Sequence, residues 1–370
     1  MTPLEDKLRA AFRAKAGEIP PDAPPLLLPA RRRRSRFLAY GGGEKVGAPA
    51  QRAWPGWMAP AACGVLVVGV IVASAVTVGG GRLVPSSPAR TPAVPTIPAP
   101  SPSSYLGVFE AGSPPSYQQI EDFARAVGKE PNLVEYISGW AQPFAASYAQ
   151  TIRKHGAIMI VQIDPAYASV AGIAAGDYDV YLRSYADSVR DFGHPVIIGF
   201  GHEMNAPWNS WGYGHARPSV FVAAWRHIVT LFRSQGADNV TWLWTINADV
   251  PGTGPVASWW PGASYVTWIG IDGYYTKPSD TFPSVFGPTI AQVRTFTSKP
   301  ILLSNTAVTP DANQYDNIIN LFQGIAQYRT LGLVWSDIET LNHQDWRLEG
   351  NHAAEAAVRV GVSGLTLART

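Results

Sequence analysis

The 370-residue sequence predicts a (β/α)8 TIM barrel over residues 104–370, because short apolar runs alternate there with helix-like segments. Eight apolar runs of strand length can be counted, which is the number that such a barrel needs. No GxGxxG motif follows the first run, which disfavours a doubly wound sheet with the same alternation. The sequence therefore predicts a barrel.

Each predicted strand is a short run of apolar and β-branched residues, and the predicted strands are Tyr105–Phe109, Leu133–Ile137, Ala157–Ile163, Val196–Phe200, Val240–Ile246, Val266–Ile271, Ile301–Leu303 and Leu331–Trp335. The predicted helices between them are Tyr117–Val127, Phe144–Lys154, Asp177–Phe192, Ser219–Gln235, Thr289–Thr297 and Gln314–Gln327.

Residues 1–57 are predicted to form a basic and mostly disordered tail. They contain eleven Lys/Arg against five Asp/Glu, including four consecutive arginines at 31–34, although the whole chain carries a net charge of only +2. The basic excess thus belongs to the tail and does not indicate a fold that binds nucleic acid. The arginines are expected to set membrane topology, and docking of a protein or of anionic lipid is the alternative.

Residues 58–80 are predicted to form a single transmembrane helix. The stretch from Ala61 to Val78 has no charge and is about the minimum length that spans a bilayer. A signal peptide would begin within the first 15–30 residues. Since the arginines precede the helix, we expect a cytoplasmic N-terminus and an extracellular C-terminal domain at the cell membrane. Residues 81–103 contain seven prolines and predict a semi-rigid linker.

The sequence implies no cofactor and no metal site. Cys63 is the only cysteine, which excludes an intramolecular disulfide and a cysteine-based zinc site. Four histidines of the predicted barrel, at 194, 202, 215 and 227, lack tight ligand spacing with carboxylates. Phosphate loops and dinucleotide fingerprints are also absent from the sequence.

The most informative stretch is Pro195–Trp211, in which a buried strand leads directly into His202, Glu203, Asn205, Trp208 and Trp211. A carboxyl group beside an imidazole, a carboxamide and two indoles suits a general acid in a cleft whose aromatic walls hold a sugar ring. The HExxH spacing of a zinc site is missing. A structural role for these residues is the alternative.

Polar or aromatic residues follow nearly every predicted strand, and active sites of barrels lie at these carboxyl ends. Besides strand 4, these residues are Glu110, Trp140, Asp164, Trp244, Asn247, Asp272, Tyr274, Tyr275, Ser304, Asn305, Trp335, Asp337 and Glu339. Their joint placement on one face of the predicted barrel indicates a catalytic site.

Several motifs resemble glycoside hydrolase family 26, a family of β-mannanases and related β-glucan and xylan hydrolases on a (β/α)8 barrel. They are His202–Asn205 followed by Trp208, then Trp259–Gly262, Tyr265–Tyr274, Lys299–Leu303 and Asp345–Leu348. The resemblance spans Tyr105 to Leu348 and implies that Glu203 is the general acid/base. It also implies that His202 contacts the sugar, that Trp208 and Trp335 are stacking surfaces, and that the Tyr274 hydroxyl supports the nucleophile.

The chain departs from the family pattern at the nucleophile. The family has a nucleophilic Glu at the position of Asn305, and a carboxamide cannot form the covalent glycosyl ester. Strand 3 ends in Asp164 without the His that mannanases of the family often place in that strand. Asn205, Trp211, Asp164 and Asp272 are further predicted substrate contacts.

Three interpretations of Asn305 remain open. The barrel keeps a sugar cleft and only binds carbohydrate, or another carboxylate takes the second catalytic role, the candidates being Asp272, Asp337 and Glu339. In the third, Asn305 orients a 2-acetamido group of the substrate that serves as the internal nucleophile. The predicted function is a membrane-anchored extracellular glycoside hydrolase acting on mannan, β-glucan, xylan or wall glycan, and the alternative is a carbohydrate-binding pseudo-enzyme.

Overall fold

The computed structural model describes residues 97, 101–248, 251–339 and 345–368. The predicted tail and transmembrane helix lie outside these residues, as does most of the predicted linker. Within the described ranges, no helix is both long and apolar enough to cross a membrane. The domain boundaries proposed for residues 1–103 therefore stay predictions.

Eight parallel strands close into one barrel, with each strand hydrogen-bonded to its neighbours in chain order and the last strand bonded to the first. The strands are β1 Tyr105–Phe109, β2 Leu133–Gly139, β3 Ile158–Asp164, β4 Val196–Phe200, β5 Val240–Asn247, β6 Trp268–Asp272, β7 Ile301–Thr306 and β8 Gly332–Ser336. This architecture confirms the predicted fold.

Helices lie between the strands and after the last one. The described α-helices are α1 Tyr117–Val127, α2 Ala146–Lys154, α3 Val170–Ala175, α4 Asp179–Phe192, α5 Pro218–Ser234, α6 Phe282–Val285, α7 Gly287–Arg294, α8 Gln314–Gln327 and α9 His352–Ser363. A 3-10 helix at Val256–Trp259 follows β5.

Local sequence signals explain where several helices begin and end. The backbone N–H of Ser116 donates to the Gln119 side chain at 2.9 Å, which satisfies a free donor at the start of α1. Gly128 ends the same helix with φ of 70°, a conformation that costs glycine little. Pro218 begins α5, where its missing N–H breaks no helical hydrogen bond.

The apolar residues form two layers. Inside the barrel, alternate strand residues pack against one another, and they are Tyr105, Phe109, Leu133, Ile158, Ile160, Ile197, Leu243, Trp268, Leu302 and Val334. The residues of opposite alternation pack between the strands and the surrounding helices. This packing leaves the carboxyl ends of the strands as the place where polar side chains gather.

An irregular register at β7 affects the site directly. Asn305 pairs with Asp272 of β6, and the β6–β7 register shifts between Gly270 and Asp272. The β7–β8 register shifts between Leu303 and Thr306. Parallel partners face the same side of a sheet, so Asn305 faces the barrel mouth with Asp272. A bulge of this kind commonly re-aims a side chain near an active site.

Candidate active site

Glu203 lies in the barrel mouth, just after β4, and both of its carboxyl oxygens accept a hydrogen bond. Trp208 Nε1 donates to Oε2 at 2.6 Å, and Asn247 Nδ2 donates to Oε1 at 2.7 Å. The Glu203 side chain is only partly buried. One donor on each oxygen fixes the plane of the carboxyl group and leaves it accessible to a ligand.

The backbone at Glu203 is strained. Gly201 has φ of 56°, and Glu203 has φ of 53°, which places a residue with a side chain in the left-handed region. Such a conformation costs about 1–3 kcal/mol and occurs frequently at functional sites. The Glu203 N–H donates to the carbonyl oxygen of Thr245 at 3.0 Å, which ties the strained turn to β5.

Asn205 holds this turn against the end of β5. Its Nδ2 donates to the Asn247 carbonyl oxygen at 2.9 Å, and its Oδ1 accepts from the Asn247 N–H at 2.9 Å. Asn205 is fully buried. The structure therefore gives Asn205 a positioning role behind Glu203, and its predicted contact with substrate stays a prediction.

The two predicted tryptophans of this loop occupy different environments. Trp208 is partly exposed beside Glu203, whereas Trp211 is 3% exposed and donates from Nε1 to the His202 carbonyl oxygen at 2.9 Å. Asn209 donates to the same oxygen at 3.1 Å. Trp211 thus supports the loop from below, and Trp208 is the indole that can reach a ligand.

His202 is paired with Asp164 at the end of β3. The Nδ1 of His202 lies 2.8 Å from Asp164 Oδ1, and both side chains are largely buried. Burial alone would lower the pKa of His202, but the carboxylate of Asp164 and, less strongly, that of Glu203 raise this pKa to about 10. A protonated imidazole keeps Nδ1–H on Asp164 and has a second N–H donor available.

A buried polar layer lies beneath these residues and was not predicted. Gln162 donates to Glu135 Oε1 at 3.0 Å and to Thr245 Oγ1 at 2.9 Å. Burial raises the pKa of Glu135 to about 8. Gly199 leaves room for the Gln162 carboxamide in this position, because a β-carbon at residue 199 would collide with it. Glu135 interrupts an apolar run at an inward position, and that signal could have identified it.

Asp272 and Asn305 lie side by side at the ends of β6 and β7. Ser304 Oγ donates to Asp272 Oδ1 at 2.6 Å, and Asp272 is 4% exposed. Burial, followed by the charges of Glu203 and Glu135, raises the pKa of Asp272 well above its usual range. Asn305 is partly exposed, yet its Oδ1 is buried and has no donor among the described residues. An unpaired acceptor of this kind costs about 1–3 kcal/mol.

An aromatic pair borders the mouth on the β6 side. The rings of Tyr274 and Trp346 stack with centroids 4.5 Å apart and planes at 12°. Burial, then the charges of Asp272 and Glu203, raise the pKa of Tyr274 well above its usual value, so its hydroxyl remains a donor. Trp346 lies in the Asp345–Leu348 motif but is not among the site residues predicted from the sequence.

Trp335 supports this pair and is itself buried. It is 1% exposed, and its Nε1 donates to the Trp346 carbonyl oxygen at 3.0 Å. Its ring belongs to the layer between strands and helices, because residue 335 has the outward alternation of β8. Trp346, which is partly exposed, is therefore the more accessible of the two indoles, and the sugar contact predicted for Trp335 stays a prediction.

Asp337 and Glu339 belong to a separate group of charges. Carboxyl oxygens of Glu110, Asp337 and Glu349 lie within 4.8 Å of one another beside a cavity of about 710 Å³. Burial and the charge of Asp337 raise the pKa of Glu110 to about 10. Burial and the charge of Glu349 raise the pKa of Asp337 to about 8. Glu339 instead forms an ion pair with Arg347 at 3.3 Å.

Sequence comparison matches residues 179–340 to the family described as glycosyl hydrolase family 26. Endoglucanase H of Acetivibrio thermocellus is 26% identical over 268 residues, which are 68% of this chain and 29% of that protein. The β-1,3-xylanase TXYA of a Vibrio species is 29% identical over 113 residues, which are 30% of this chain and 23% of that protein. The chain thus spans less than a third of these relatives.

Solved structures share the barrel at low sequence identity. The Bacillus subtilis mannanase Man26 matches with a TM-score of 0.53 and 18% identity, over 69% of this chain and 85% of the other. A modular endo-β-1,4-mannanase of Cellulomonas fimi matches with a TM-score of 0.57 and 15% identity, over 72% of each chain. These structures share the barrel fold, and the sequence match over residues 179–340, which include β4 to β8, is to glycoside hydrolase family 26.

Proposed function

We propose that this chain is a glycoside hydrolase that acts on β-linked polysaccharide, with Glu203 as general acid and base. The observation that carries the proposal is the fixed position of the Glu203 carboxyl, which has one hydrogen-bond donor on each oxygen. The strained turn at Glu203 supports it as well, since such strain is stored at functional sites.

The chemistry needs one group that first donates and then accepts a proton. Protonated Glu203 would give its proton to the glycosidic oxygen as the bond to C1 breaks. The resulting carboxylate would then take a proton from the water that attacks C1. Proton transfer by a positioned side chain contributes about 10²–10⁴-fold to the rate.

The substrate class follows from the mouth of the barrel and from the relatives. Trp208 bonds to Glu203, the partly exposed rings of Tyr274 and Trp346 stack on the β6 side of the mouth, and aromatic rings pack against the C–H faces of sugar rings. The matched relatives are named for endoglucanase, β-1,3-xylanase and mannan endo-1,4-β-mannosidase activity. Mannan, β-glucan, xylan and wall glycan are the candidate substrates.

The location belongs to the same proposal. We expect residues 58–80 to anchor the chain in the cell membrane, with the tail in the cytoplasm and the barrel outside, held off the bilayer by residues 81–103. Protease added to intact cells should remove the barrel and spare the tail. Protection of both parts from the protease would contradict this topology.

A carbohydrate-binding protein without turnover is the second candidate function. The specific observation that favours it is Asn305 at the strand-7 position beside Asp272, where a carboxylate nucleophile would be expected from the family. On this account the cleft retains its shape and aromatic surfaces. Glycan would bind and remain intact, and Asn305→Glu would generate hydrolysis.

The test uses the full-length chain, purified as wild type and as Glu203→Gln, with release of reducing sugar from each candidate polysaccharide as the readout. Glu130→Gln is the matched control, because Glu130 is an exposed glutamate on the loop after α1. We expect release by wild type and by Glu130→Gln, with a drop of at least about 100-fold for Glu203→Gln. Equal release by all three proteins would contradict the role of Glu203.

A further inference from the structure

The second catalytic group is the open question at this site, and the answer begins with strand β7. Because of the irregular register, Ser304 and Asn305 are consecutive residues that both face the barrel interior. The Ser304 hydroxyl already donates a hydrogen bond to Asp272 at 2.6 Å. Asn305 is therefore the strand-7 side chain that meets a sugar bound at Glu203.

The described carboxylates around Glu203 are each engaged in a hydrogen bond with another side chain. Asp164 is engaged with His202, and Glu135 lies in the buried layer below, bonded to Gln162. Asp272 is 4% exposed and already accepts a hydrogen bond from Ser304. Its raised pKa favours the neutral acid, which is a donor and a poor nucleophile.

The remaining candidates for relocated catalysis have other partners. Asp337 accepts a hydrogen bond from the Leu348 N–H at 2.9 Å and lies in the carboxyl group with Glu110 and Glu349. Glu339 is exposed and paired with Arg347. Asp337 and Glu339 therefore lie on the β8 side of the barrel with partners of their own, and we do not consider them as the nucleophile.

Asn305 supplies an acceptor in place of the missing carboxylate. Its Oδ1 is buried and has no donor among the described residues, while the Asn305 side chain as a whole is partly exposed at the mouth. An amide oxygen accepts from either a C2 hydroxyl or a C2 amide, but only the acetamido group also carries a carbonyl oxygen that can close a five-membered ring on C1. An acetamido group at C2 therefore supplies both a donor for the unpaired Asn305 oxygen and a nucleophile in place of the missing carboxylate.

We propose that the site cleaves glycans whose reacting sugar is a 2-acetamido-2-deoxyhexose, with the acetamido carbonyl oxygen as nucleophile and Asn305 Oδ1 as acceptor for the acetamido N–H. This inference rests on the proposed role of Glu203. It deepens the proposed function by selecting N-acetylated glycan, such as a cell-wall glycan, from the candidate substrates.

The two steps balance without any partner except water. Glu203 gives its proton to the glycosidic oxygen, which keeps the electron pair of the breaking C1–O bond, while the acetamido oxygen forms a bond to C1. The positive charge of the resulting oxazolinium ion is shared with its N–H, which donates to Asn305. Water then bonds to C1, loses its proton to Glu203, and returns the C1–O electron pair to the acetamide. The configuration at C1 is retained.

The test compares two pentasaccharides that differ only at C2, β-1,4-linked N-acetylglucosamine and β-1,4-linked glucose, with the full-length chain. We expect kcat/KM to be at least about 100-fold higher for the N-acetylated substrate. Asn305→Ala should lower kcat by about 100-fold with a smaller change in KM, and Asn305→Asp should retain more activity because its oxygen accepts the same N–H. Asn313→Ala, at an exposed asparagine before α8, is the control.

A thiazoline analogue of the oxazolinium ion gives a readout that a merely structural role of Asn305 would not change. It should inhibit wild type and bind at least about 10-fold more weakly to Asn305→Ala. Asp249 lies outside the described residues, so Asp249→Asn is included, and it should retain activity. If Asp249→Asn loses all turnover and also loses tight binding of the thiazoline, a second carboxylate takes part in catalysis and the inference is overturned.

The outcomes separate this inference from the proposed function. Cleavage of the glucose pentasaccharide at a comparable rate, dependent on Glu203 and independent of Asn305, would leave the hydrolase proposal standing and overturn the acetamido inference. Cleavage of neither pentasaccharide by wild type would overturn the acetamido inference, and activity on the glucose pentasaccharide that appears only in Asn305→Glu would favour the binding protein.

Discussion

Asn247 Nδ2 donates to Glu203 Oε1 at 2.7 Å and thereby joins the end of β5 to the carboxyl group at the end of β4. The backbone of Asn247 is in turn held by both amide atoms of Asn205. The carboxyl of Glu203 is therefore fixed from a neighbouring strand, and its orientation does not depend on the flexibility of its own side chain.

Asn247→Ala should lower kcat by about 10-fold to 100-fold, because hydrogen bonds to charged groups contribute about 1.5–3 kcal/mol. Asn247→Asp should in addition move the basic limb of the pH–rate profile to higher pH, since a neighbouring carboxylate disfavours ionisation of Glu203. Steady-state rates between pH 4 and 9 measure both effects. An unchanged profile in both variants would show that Asn247 does not position Glu203.

Asp164→Asn should lower the pKa of His202 from about 10 toward or below its usual value, because burial would no longer be opposed by the Asp164 charge. NMR of ¹³C-labelled histidine follows this pKa directly. Asp179→Asn is the matched control, since Asp179 contacts a different histidine, His227, at 2.6 Å between α4 and α5. A His202 signal that titrates alike in wild type and Asp164→Asn would contradict the assignment.

The same pair predicts a sign for stability against pH. The folded pKa of His202 lies above that of an unfolded histidine, so its contribution is fully present below about pH 6.5 and is lost as pH rises toward 10. Denaturant unfolding at pH 6 and pH 9.5 should show a larger loss of stability for wild type than for His202→Gln. Equal losses would mean that His202 is not charged in the folded protein.

Glu110→Gln should make the barrel less sensitive to alkaline pH. The pKa of Glu110 is raised to about 10, so the folded state holds a proton that the unfolded chain releases above about pH 4.5, and stability falls as pH rises from 4.5 to 10. A glutamine removes this proton exchange. Urea unfolding followed by tryptophan fluorescence should show Glu110→Gln gaining stability over wild type at pH 9, with Glu130→Gln unchanged.

Trp346→Ala should raise KM for oligosaccharides by about 10-fold with a small effect on kcat, because it removes an aromatic surface beside Tyr274 and leaves Glu203 untouched. Trp346→Phe should retain most of the affinity, since a ring remains. The backbone carbonyl oxygen of residue 346, which accepts a hydrogen bond from Trp335 Nε1, is present in both variants. Equal KM values for all three proteins would remove Trp346 from the binding surface.

The strands were predictable because each apolar run ends at a change in composition. Both β1 and β4 have the predicted bounds, whereas β5 and β7 continue into Asn247 and Thr306. These extensions contain polar residues. A strand predicted from its apolar run ends before them, although the hydrogen bonds between strands continue through them. The short α3 and α6 and the terminal α9 were not predicted; α3 and α6 have six and four residues, which are too few to show a helical period.

The candidate site was predictable as a set of residues and less so as a set of contacts. Position after a strand was enough to locate Glu203 and Asp164. The burial of Asn205 and Trp335 and the bulge that aligns Asn305 with Asp272 depend on packing between strands that are distant in sequence. No spacing rule within one strand contains that information.

The most direct test of general acid catalysis by Glu203 compares two substrates of one sugar, an unactivated oligosaccharide and its dinitrophenyl glycoside, with wild type and Glu203→Gln. Dinitrophenolate leaves without protonation, so an acid is needed only for the oligosaccharide. We predict that Glu203→Gln loses at least about 100-fold in kcat/KM on the oligosaccharide and less than about 10-fold on the dinitrophenyl glycoside. Equal losses on both substrates would contradict the assignment of Glu203 as the general acid.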